Sequence, residues 1–321
     1  MRVCITGISG SLGRVLLARL AADGADRIVG FSRDEQKRLT IQREYAWHPG
    51  VRVFGISNGI SDVRRLCDAF ANTEIVVHAA ARKVVSGTHD EPREMYITNV
   101  QGTWNVIEAA RTAGVRKVLF ISSDKACAPI NVYGKSKALA EDLVISENAR
   151  THAQNLRLSV IRYGNCLASN GSVVKVWREC MAQGKPLPLS DARMTRFWLT
   201  LDMAVDYVLK AIGDLRGGEV FVPALKAAPL TLLAEALAPA APIVNLGIRP
   251  GGEKLHEELL SSDEVRRTVR RNGFYVVTPT QTADSWDASP WLGEPVPEDF
   301  TYRSDTWSDQ WTTEALREML A

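Results

Sequence analysis

Tyr133 and Lys137 stand four residues apart, so they share a face wherever that stretch is helical. An ammonium beside a phenol favours the phenolate and draws the phenol pKa towards neutrality. Such a tyrosine can take a proton from a hydroxyl while hydride leaves the same carbon. Alone, YxxxK is a common surface pairing. Here it follows Ser122-Ser123-Asp124-Lys125, at the end of the apolar run Lys117 to Ser122. Asp124 and Lys125 add an acid and an amine to the same segment. As general acid and general base they must be neutral, and burial in a closed apolar site shifts both pKa values that way. Mutual ion pairing opposes this, so their roles can be coupled or exchanged. The plain alternative is a surface ion pair at a strand end, worth little.

A second chemical signal opens the chain. Thr6-Gly7-Ile8-Ser9-Gly10-Ser11-Leu12-Gly13 follows the apolar run Arg2 to Thr6 and leads into Ser11 to Ala22, whose apolar residues recur at helical spacing. Glycines there let the backbone turn tightly and let a pyrophosphate reach the helix N-terminus, where free amides and the dipole favour an anion. A dinucleotide site is expected at Gly7, Ser9, Gly10, Ser11, Leu12 and Gly13. The next strand ends in Phe31-Ser32-Arg33-Asp34-Glu35-Gln36-Lys37. An acidic residue at this point takes a ribose 2′-hydroxyl, and an arginine takes a 2′-phosphate. Ser32, Arg33 and Lys37 point to NADP, and Asp34 leaves NAD as the alternative.

The elements that must carry these residues alternate. Strand-like runs at Arg2 to Thr6, Arg27 to Phe31, Val51 to Phe54, Glu74 to His78, Lys117 to Ser122 and Leu156 to Arg162 are separated by helical patterns, among them Val63 to Phe70, Gln101 to Thr112 and Ser136 to Glu147. The strands are apolar throughout rather than alternating, so both faces of a parallel sheet should be covered. Past about residue 165 the elements shorten and Pro-rich turns appear. At 321 residues the chain is long enough for about two structural units of roughly 150 residues. The expected division is a dinucleotide-binding domain over 1–164, with 191–224 packing back against it, and a substrate-binding domain over 165–321.

Composition narrows the class. With 39 Lys and Arg against 37 Asp and Glu, nothing suggests a protein that holds nucleic acid by bulk charge. No run reads as a membrane span or a signal peptide. Five cysteines without CxxC spacing fit a reduced, cytoplasmic setting and no zinc site, and no metal is expected. His78 reads as a structural residue at a strand end. Trp286, Trp291, Trp307 and Trp311 read as docking anchors rather than a base-stacking surface.

TGxxGxxG, the serine-bearing strand end and YxxxK together resemble the extended short-chain dehydrogenase/reductases. Within them, Ser122 to Lys137, SSDKACAPINVYGKSK, is similar to the DKAxxPxNxYGxxK signature of the inverting UDP-N-acetylglucosamine 4,6-dehydratases. Further ordered matches are His78-Ala79-Ala80-Ala81 with Lys83, Thr98-Asn99, Arg162-Tyr163-Gly164-Asn165, Gly171-Ser172-Val173-Val174, and Arg193-Met194-Thr195-Arg196-Phe197-Trp198. Gly217 to Pro223, Ile248-Arg249-Pro250 and Glu253-Lys254-Leu255-His256-Glu257 complete them. The sequence departs from the family where Val84, Val85 and Ser86 follow Lys83, where Ser57-Asn58-Gly59 stands in place of an adenine-holding aspartate, and where Gly252 splits the RPGEK motif.

The resemblance implies an α/β fold, a Rossmann-type doubly wound parallel sheet with a smaller C-terminal mixed α/β substrate domain. It implies a UDP-sugar substrate, a recycled nicotinamide cofactor and a homo-oligomer, either a dimer or a larger ring. Tyr133 and Lys137 would oxidise C4, Lys125 would remove the C5 proton, Asp124 would protonate the departing 6-hydroxyl, and Ser123 would bond the hydroxyl at C4. Ala79, Ala80, Ala81 and Asn99 join the cofactor residues. Lys83, Asn165, Arg193, Arg249 and Glu253 are the substrate candidates, with Arg suited to a diphosphate. A related 4-epimerase or reductase would need only Ser123, Tyr133 and Lys137. A non-catalytic dinucleotide-binding member would not need the tyrosine or the lysine.

Overall fold

The apolar runs become strands whose faces are covered, except in the edge strand Val51–Gly55, where Arg52 and Phe54 are exposed. In the computed structural model, which describes residues 1–55, 59–83, 92–151, 154–249, 251–279 and 293–320, they are β1 (Arg2–Thr6), β2 (Arg27–Ser32), β3 (Val51–Gly55), β4 (Ile75–His78), β5 (Lys117–Ser123) and β6 (Arg157–Tyr163). The readings made for Ser57, Asn58, Val84, Val85, Ser86, Pro250, Trp286 and Trp291 lie outside the described residues. The strands pair in the order β3-β2-β1-β4-β5-β6, all parallel, the order of a doubly wound dinucleotide fold. Only the first residue of β6 is less than fully buried. Each buried Val, Leu or Ile side chain contributes about 1.5–3 kcal/mol.

The sheet does not stop at β6. Val220–Pro223 pairs with it in parallel, and Phe274–Val277, Thr268–Arg271 and Glu294–Pro295 follow as antiparallel strands, giving ten strands in all. The main core therefore includes Phe197, Leu199, Val205 and Val208 from the middle of the chain and Leu259, Phe274 and Tyr302 from its C-terminal part. A second apolar cluster gathers Leu167, Val174, Trp177, Leu187, Trp198, Leu233 and Leu316. In the tail, Trp307 packs on Tyr302 with ring centroids 4.6 Å apart, and the Trp311 ring nitrogen donates to the Trp198 carbonyl at 3.3 Å. No described helix is long and apolar enough to cross a membrane.

Two local features aim the chemistry. The chain leaves β3, crosses the sheet and returns at β4, so the loops after β1 and β4 diverge at the switch point where such sheets bind ligands. The helix after β5 runs Val132–Thr151 and starts four residues earlier than its apolar pattern suggests. Asn131 explains the difference: its side chain accepts from Gly134 N at 2.8 Å and its carbonyl from Lys135 N at 2.9 Å, capping the first turn. Tyr133 and Lys137 consequently lie on a formed helix.

Candidate active site

The phosphate loop is built by close approach. Gly7 has φ +75°, and a Cβ there would lie 2.9 Å from Ala80 N. A Cβ on Gly13 would lie 2.5 Å from the Gly7 carbonyl oxygen. Neither position tolerates a side chain without moving backbone. The helix Ser11–Ala22 is preceded by Gly10, which has no side chain to cap it, and its first turn carries no acid, so its N-terminal amides and dipole face the loop. These features fit a dinucleotide pyrophosphate.

A cavity of about 210 Å³ is lined by Gly7, Ser9, Gly10, Ser32, Arg33 and Ala79 to Ala81 together with Gly59, Ile60 and Ser61. Ser32 donates to Ser9 Oγ at 3.0 Å. Asp34 is turned away from the cavity role: its carboxylate accepts from Lys37 N at 3.0 Å and caps the helix Glu35–Glu44. Lys37 pairs with the same carboxylate at 3.3 Å on the surface. Arg33 lies across Gly59, where an added Cβ would meet its Cδ at 3.0 Å. Asn99 lines neither this cavity nor the two described below. Its amide accepts from Arg82 N at 2.8 Å and donates to Arg82 O at 3.0 Å and Ser136 Oγ at 2.9 Å, fastening the segment after β4 to the Tyr133 helix.

An adjoining cavity of about 340 Å³ brings together Gly10, Ser11, Leu12, Gly13, Lys83, Ser123, Lys125, Tyr133, Lys137 and Asn165. Lys137 donates to the Ile121 carbonyl at 2.6 Å and lies 3.8 Å over the Phe120 ring. Burial lowers its pKa to about 7, with Glu141 opposing. The Tyr133 phenol is pushed above its ordinary range, first by burial and then by the Asp124 charge, with its contact to Ser123 opposing. The expectation that Lys137 lowers the phenol pKa is therefore not met in this state, because its amine is directed to a carbonyl and a ring face.

Asp124 is fully buried and continues the β5–β6 ladder through its N–H to Tyr163 O at 3.0 Å. Ser123 donates to its Oδ1 at 2.7 Å, so that hydroxyl proton is engaged by the acid. Lys125 extends to Asp124 Oδ2 at 2.9 Å, Asn165 Oδ1 at 2.9 Å and Glu257 Oε1 at 3.2 Å, three acceptors for its three N–H bonds. Burial pushes the Asp124 carboxyl above its usual range, Lys125 opposes this and the Glu257 charge adds to it. For Lys125, burial favours the neutral amine, but Asp124 and Glu257 outweigh it and raise the pKa. In the resting site Lys125 is an ammonium, whereas a C5 base must be neutral.

A third cavity, about 80 Å³, lies beyond Lys125 and is lined by Arg249, Glu253, Asn131, Arg196, Lys254 and Glu257 among others. Arg249 pairs with Glu253 at its rim. Arg193 is outside all three: its side chain is 72% exposed and forks onto Asp191, with Nη2 2.7 Å from Oδ2. Arg196 occupies the inner position, because it lies within the strand Thr195–Leu199 while Arg193 sits in the turn before it. Arg196, Lys254 and Glu257 carried no chemical reading in the sequence. They fall in matched motifs, but no local spacing links them to Lys125.

The family model described as polysaccharide biosynthesis protein matches residues 3–279. The UDP-N-acetylglucosamine 4,6-dehydratase (inverting) of Campylobacter jejuni subsp. jejuni serotype O:23/36 (strain 81-176) is 37% identical over 97% of this chain and 94% of its own. The UDP-glucose 4-epimerase of Rickettsia typhi (strain ATCC VR-144 / Wilmington) is also 37% identical, over 84% of this chain and 81% of its own. The X-ray structure of Pen from Bacillus thuringiensis superposes with a TM-score of 0.90 at 28% identity, covering 99% of this chain and 96% of that one. Identity alone separates the dehydratase from the epimerase only by coverage, so the site chemistry has to decide between them. With a family match across most of its length and the glycine loop, strand-end serine and YxxxK helix in place, the chain belongs to the polysaccharide biosynthesis protein family of short-chain dehydrogenase/reductase type.

Proposed function

We propose that this chain is a nucleotide-sugar 4,6-dehydratase that converts UDP-N-acetylglucosamine, with inversion at C5, to a UDP-2-acetamido-2,6-dideoxy-hexos-4-ulose. One observation carries this reading: the pair formed by buried Asp124 and part-buried Lys125 adjoins the cavity that holds Tyr133 and Lys137. Exchange or reduction at C4 uses Tyr133 and Lys137 and gives a second acid and base nothing to do. Elimination requires them. The C5 hydrogen of a hexose is not acidic until C4 becomes a ketone, when the C5 carbanion becomes an enolate.

Tyr133, which must ionise first, takes the proton of the 4-hydroxyl. Lys125, as the neutral amine, removes the C5 proton, and Asp124, in its acid form, gives its proton to the departing 6-hydroxyl. Proton return to C5 from the opposite face inverts the sugar. The nicotinamide, when bound, supplies the hydride acceptor for C4 and the donor to C6, ending as it began. Gly7 to Gly13 would hold its pyrophosphate and Ala79 to Ala81 would flank it. Arg249, Glu253 and Lys83 would hold the sugar nucleotide. The test is proton NMR of UDP-N-acetylglucosamine incubated with the protein in deuterated water. A 6-deoxy-4-keto sugar with deuterium at C5 is expected; an epimerised sugar that keeps its 6-hydroxyl would overturn the reading.

The cofactor is NADP rather than NAD on this reading, because Asp34 is engaged as a helix cap while Ser32 and Arg33 line the adenosine end. Arg33→Ala is expected to weaken NADP binding by about tenfold or more and to leave NAD binding within about twofold, since only a 2′-phosphate pairs with the guanidinium. Titration calorimetry with both nucleotides measures it. The protein assembles with copies of itself, which light scattering reads as mass. Its five free thiols suit the cytoplasm.

A further inference from the structure

Glu257 is the buried charge that the proposed reaction leaves without a task. It is 2% exposed, and its N–H is pinned by Ser304 Oγ at 2.9 Å. Its Oε1 lies 3.2 Å from Lys125 Nζ and 3.7 Å from Arg196 Nε, and its Oε2 lies 3.3 Å from Lys254 Nζ. The two flanking cations are themselves tied to backbone. Arg196 donates to Thr195 O at 2.7 Å and to Leu255 O and Lys254 O at 3.0 Å, and Lys254 donates to Asp124 O at 3.2 Å and also to Cys127 O. Glu257 is thus a fixed anion, held from one side by structural cations and presented on the other to Lys125.

The pair it faces has to change form before elimination. Both Asp124 oxygens accept, one from Ser123 and one from Lys125, which is the arrangement of a carboxylate beside an ammonium. Transfer of one proton across the 2.9 Å between Nζ and Oδ2 breaks an N–H bond, forms an O–H bond and yields a neutral amine and a carboxylic acid with no outside reagent. The amine then takes the C5 proton. The acid gives its proton to the departing hydroxyl, and water leaves. The ammonium and carboxylate are restored.

We propose that Glu257 is the positioning residue for this exchange: its carboxylate holds Lys125 Nζ against Asp124 and sets the pH range over which the pair shares a single proton. This rests on the reading of the site as a dehydratase. Among the described residues, the other ionisable or charged groups around the pair are Arg196, Lys254, Tyr133 and Cys166, with Lys83 and Lys137 on the same cavity. Arg196 and Lys254 are engaged by Glu257 and backbone. Burial keeps the Tyr133 phenol and the Cys166 thiol neutral. Burial also pushes the Glu257 carboxyl up, but Lys125, Arg196 and Lys254 bring it down to about 2, so it stays ionised across the working range.

The test is the pH profile of kcat/KM for release of 6-deoxy-4-keto sugar, whose two limbs report gain and loss of a proton by the pair. Glu257→Gln removes a like charge near Asp124 and an opposite charge near Lys125, so both limbs should move to lower pH by about one unit. A lower plateau with both limbs unmoved is the signature of a purely structural residue and overturns the proposal. Should Glu257→Gln fail to fold, Asn165→Asp places a new carboxylate on the other neighbour of Nζ, and its limbs should move to higher pH; unmoved limbs overturn the proposal equally. Wild-type protein is measured alongside. If it makes no 6-deoxy-4-keto sugar, the dehydratase reading fails and this one with it. If it makes that sugar and the variants' limbs stay put, only the role of Glu257 falls.

Discussion

Lys125→Ala is expected to slow dehydration by about 10²–10⁴-fold while the nicotinamide nucleotide stays bound. The side chain reaches the cavity beside Tyr133 from the loop after β5, whereas the phosphate loop and Arg33 hold their positions through other contacts. Solvent deuterium should no longer enter C5, and nucleotide released on denaturation should match wild type. Unchanged dehydration would remove Lys125 as the base. The substitution also leaves Asp124 and Glu257 without the cation between them. Asp124 already binds its proton more tightly folded than unfolded. A group with a raised folded pKa stabilises the protonated protein, and that contribution is lost as pH rises through the folded pKa. The melting temperature of Lys125→Ala should therefore fall further below wild type at pH 8 than at pH 5.

Arg162→Met should cost the largest amount of stability, about 3–5 kcal/mol, because it strands the buried Glu141 and the part-buried Glu264 carboxylates. Arg162 is 4% exposed at the middle of a three-way clamp. It reaches Glu141 on the Tyr133 helix at 2.6 Å, Glu264 at 2.8 and 2.9 Å, and the Leu259 carbonyl at 3.0 Å. Glu264 in turn accepts from Ser261 N at 2.9 Å in a capping box, so β6, the catalytic helix and the C-terminal segment meet at one guanidinium. Burial pushes the Glu264 carboxyl up, but Arg162 and Ser261 bring it below its ordinary value. A depressed carboxylate pKa gives stability that is present above the unfolded pKa and lost as pH falls through the folded one. Urea denaturation should show the full deficit of the variant near pH 7 and a smaller one as pH drops into the carboxylate range. Adding Glu264→Gln should recover part of it, and a deficit under about 1 kcal/mol would show that the clamp is dispensable.

The features that could be read from residues alone are short-range ones. Strand and helix identities followed from runs of apolar residues, and the helix Val63–Phe70 matches its pattern residue for residue. The glycine loop, the Tyr133–Lys137 spacing and the adjacent pair Asp124–Lys125 lie within a few positions of one another, so local backbone geometry already relates them. The π-helical segment Tyr96–Gln101, just before the helix Gly102–Thr112, was not foreseen, because an extra residue per turn has no distinct signature in apolar spacing. Asn131 was part of a recognised motif, but its capping role sets where the catalytic helix begins.

Residue order thus determined the first six strands, the phosphate loop and the identity of the reacting groups, because each depends on neighbours in the chain, whereas the four strands added beyond β6 depend on distant pairings. Tertiary structure alone decided the charge states of the reacting groups. Lys137 is turned to Ile121 O rather than acting on the phenol, and Arg196 rather than Arg193 points inward. Glu257 and Lys254 come from a distant stretch to meet Lys125 and the Asp124 backbone. The reason is that a proton's affinity is set by every charge within a few ångströms and by the water excluded around it. Only packing determines both.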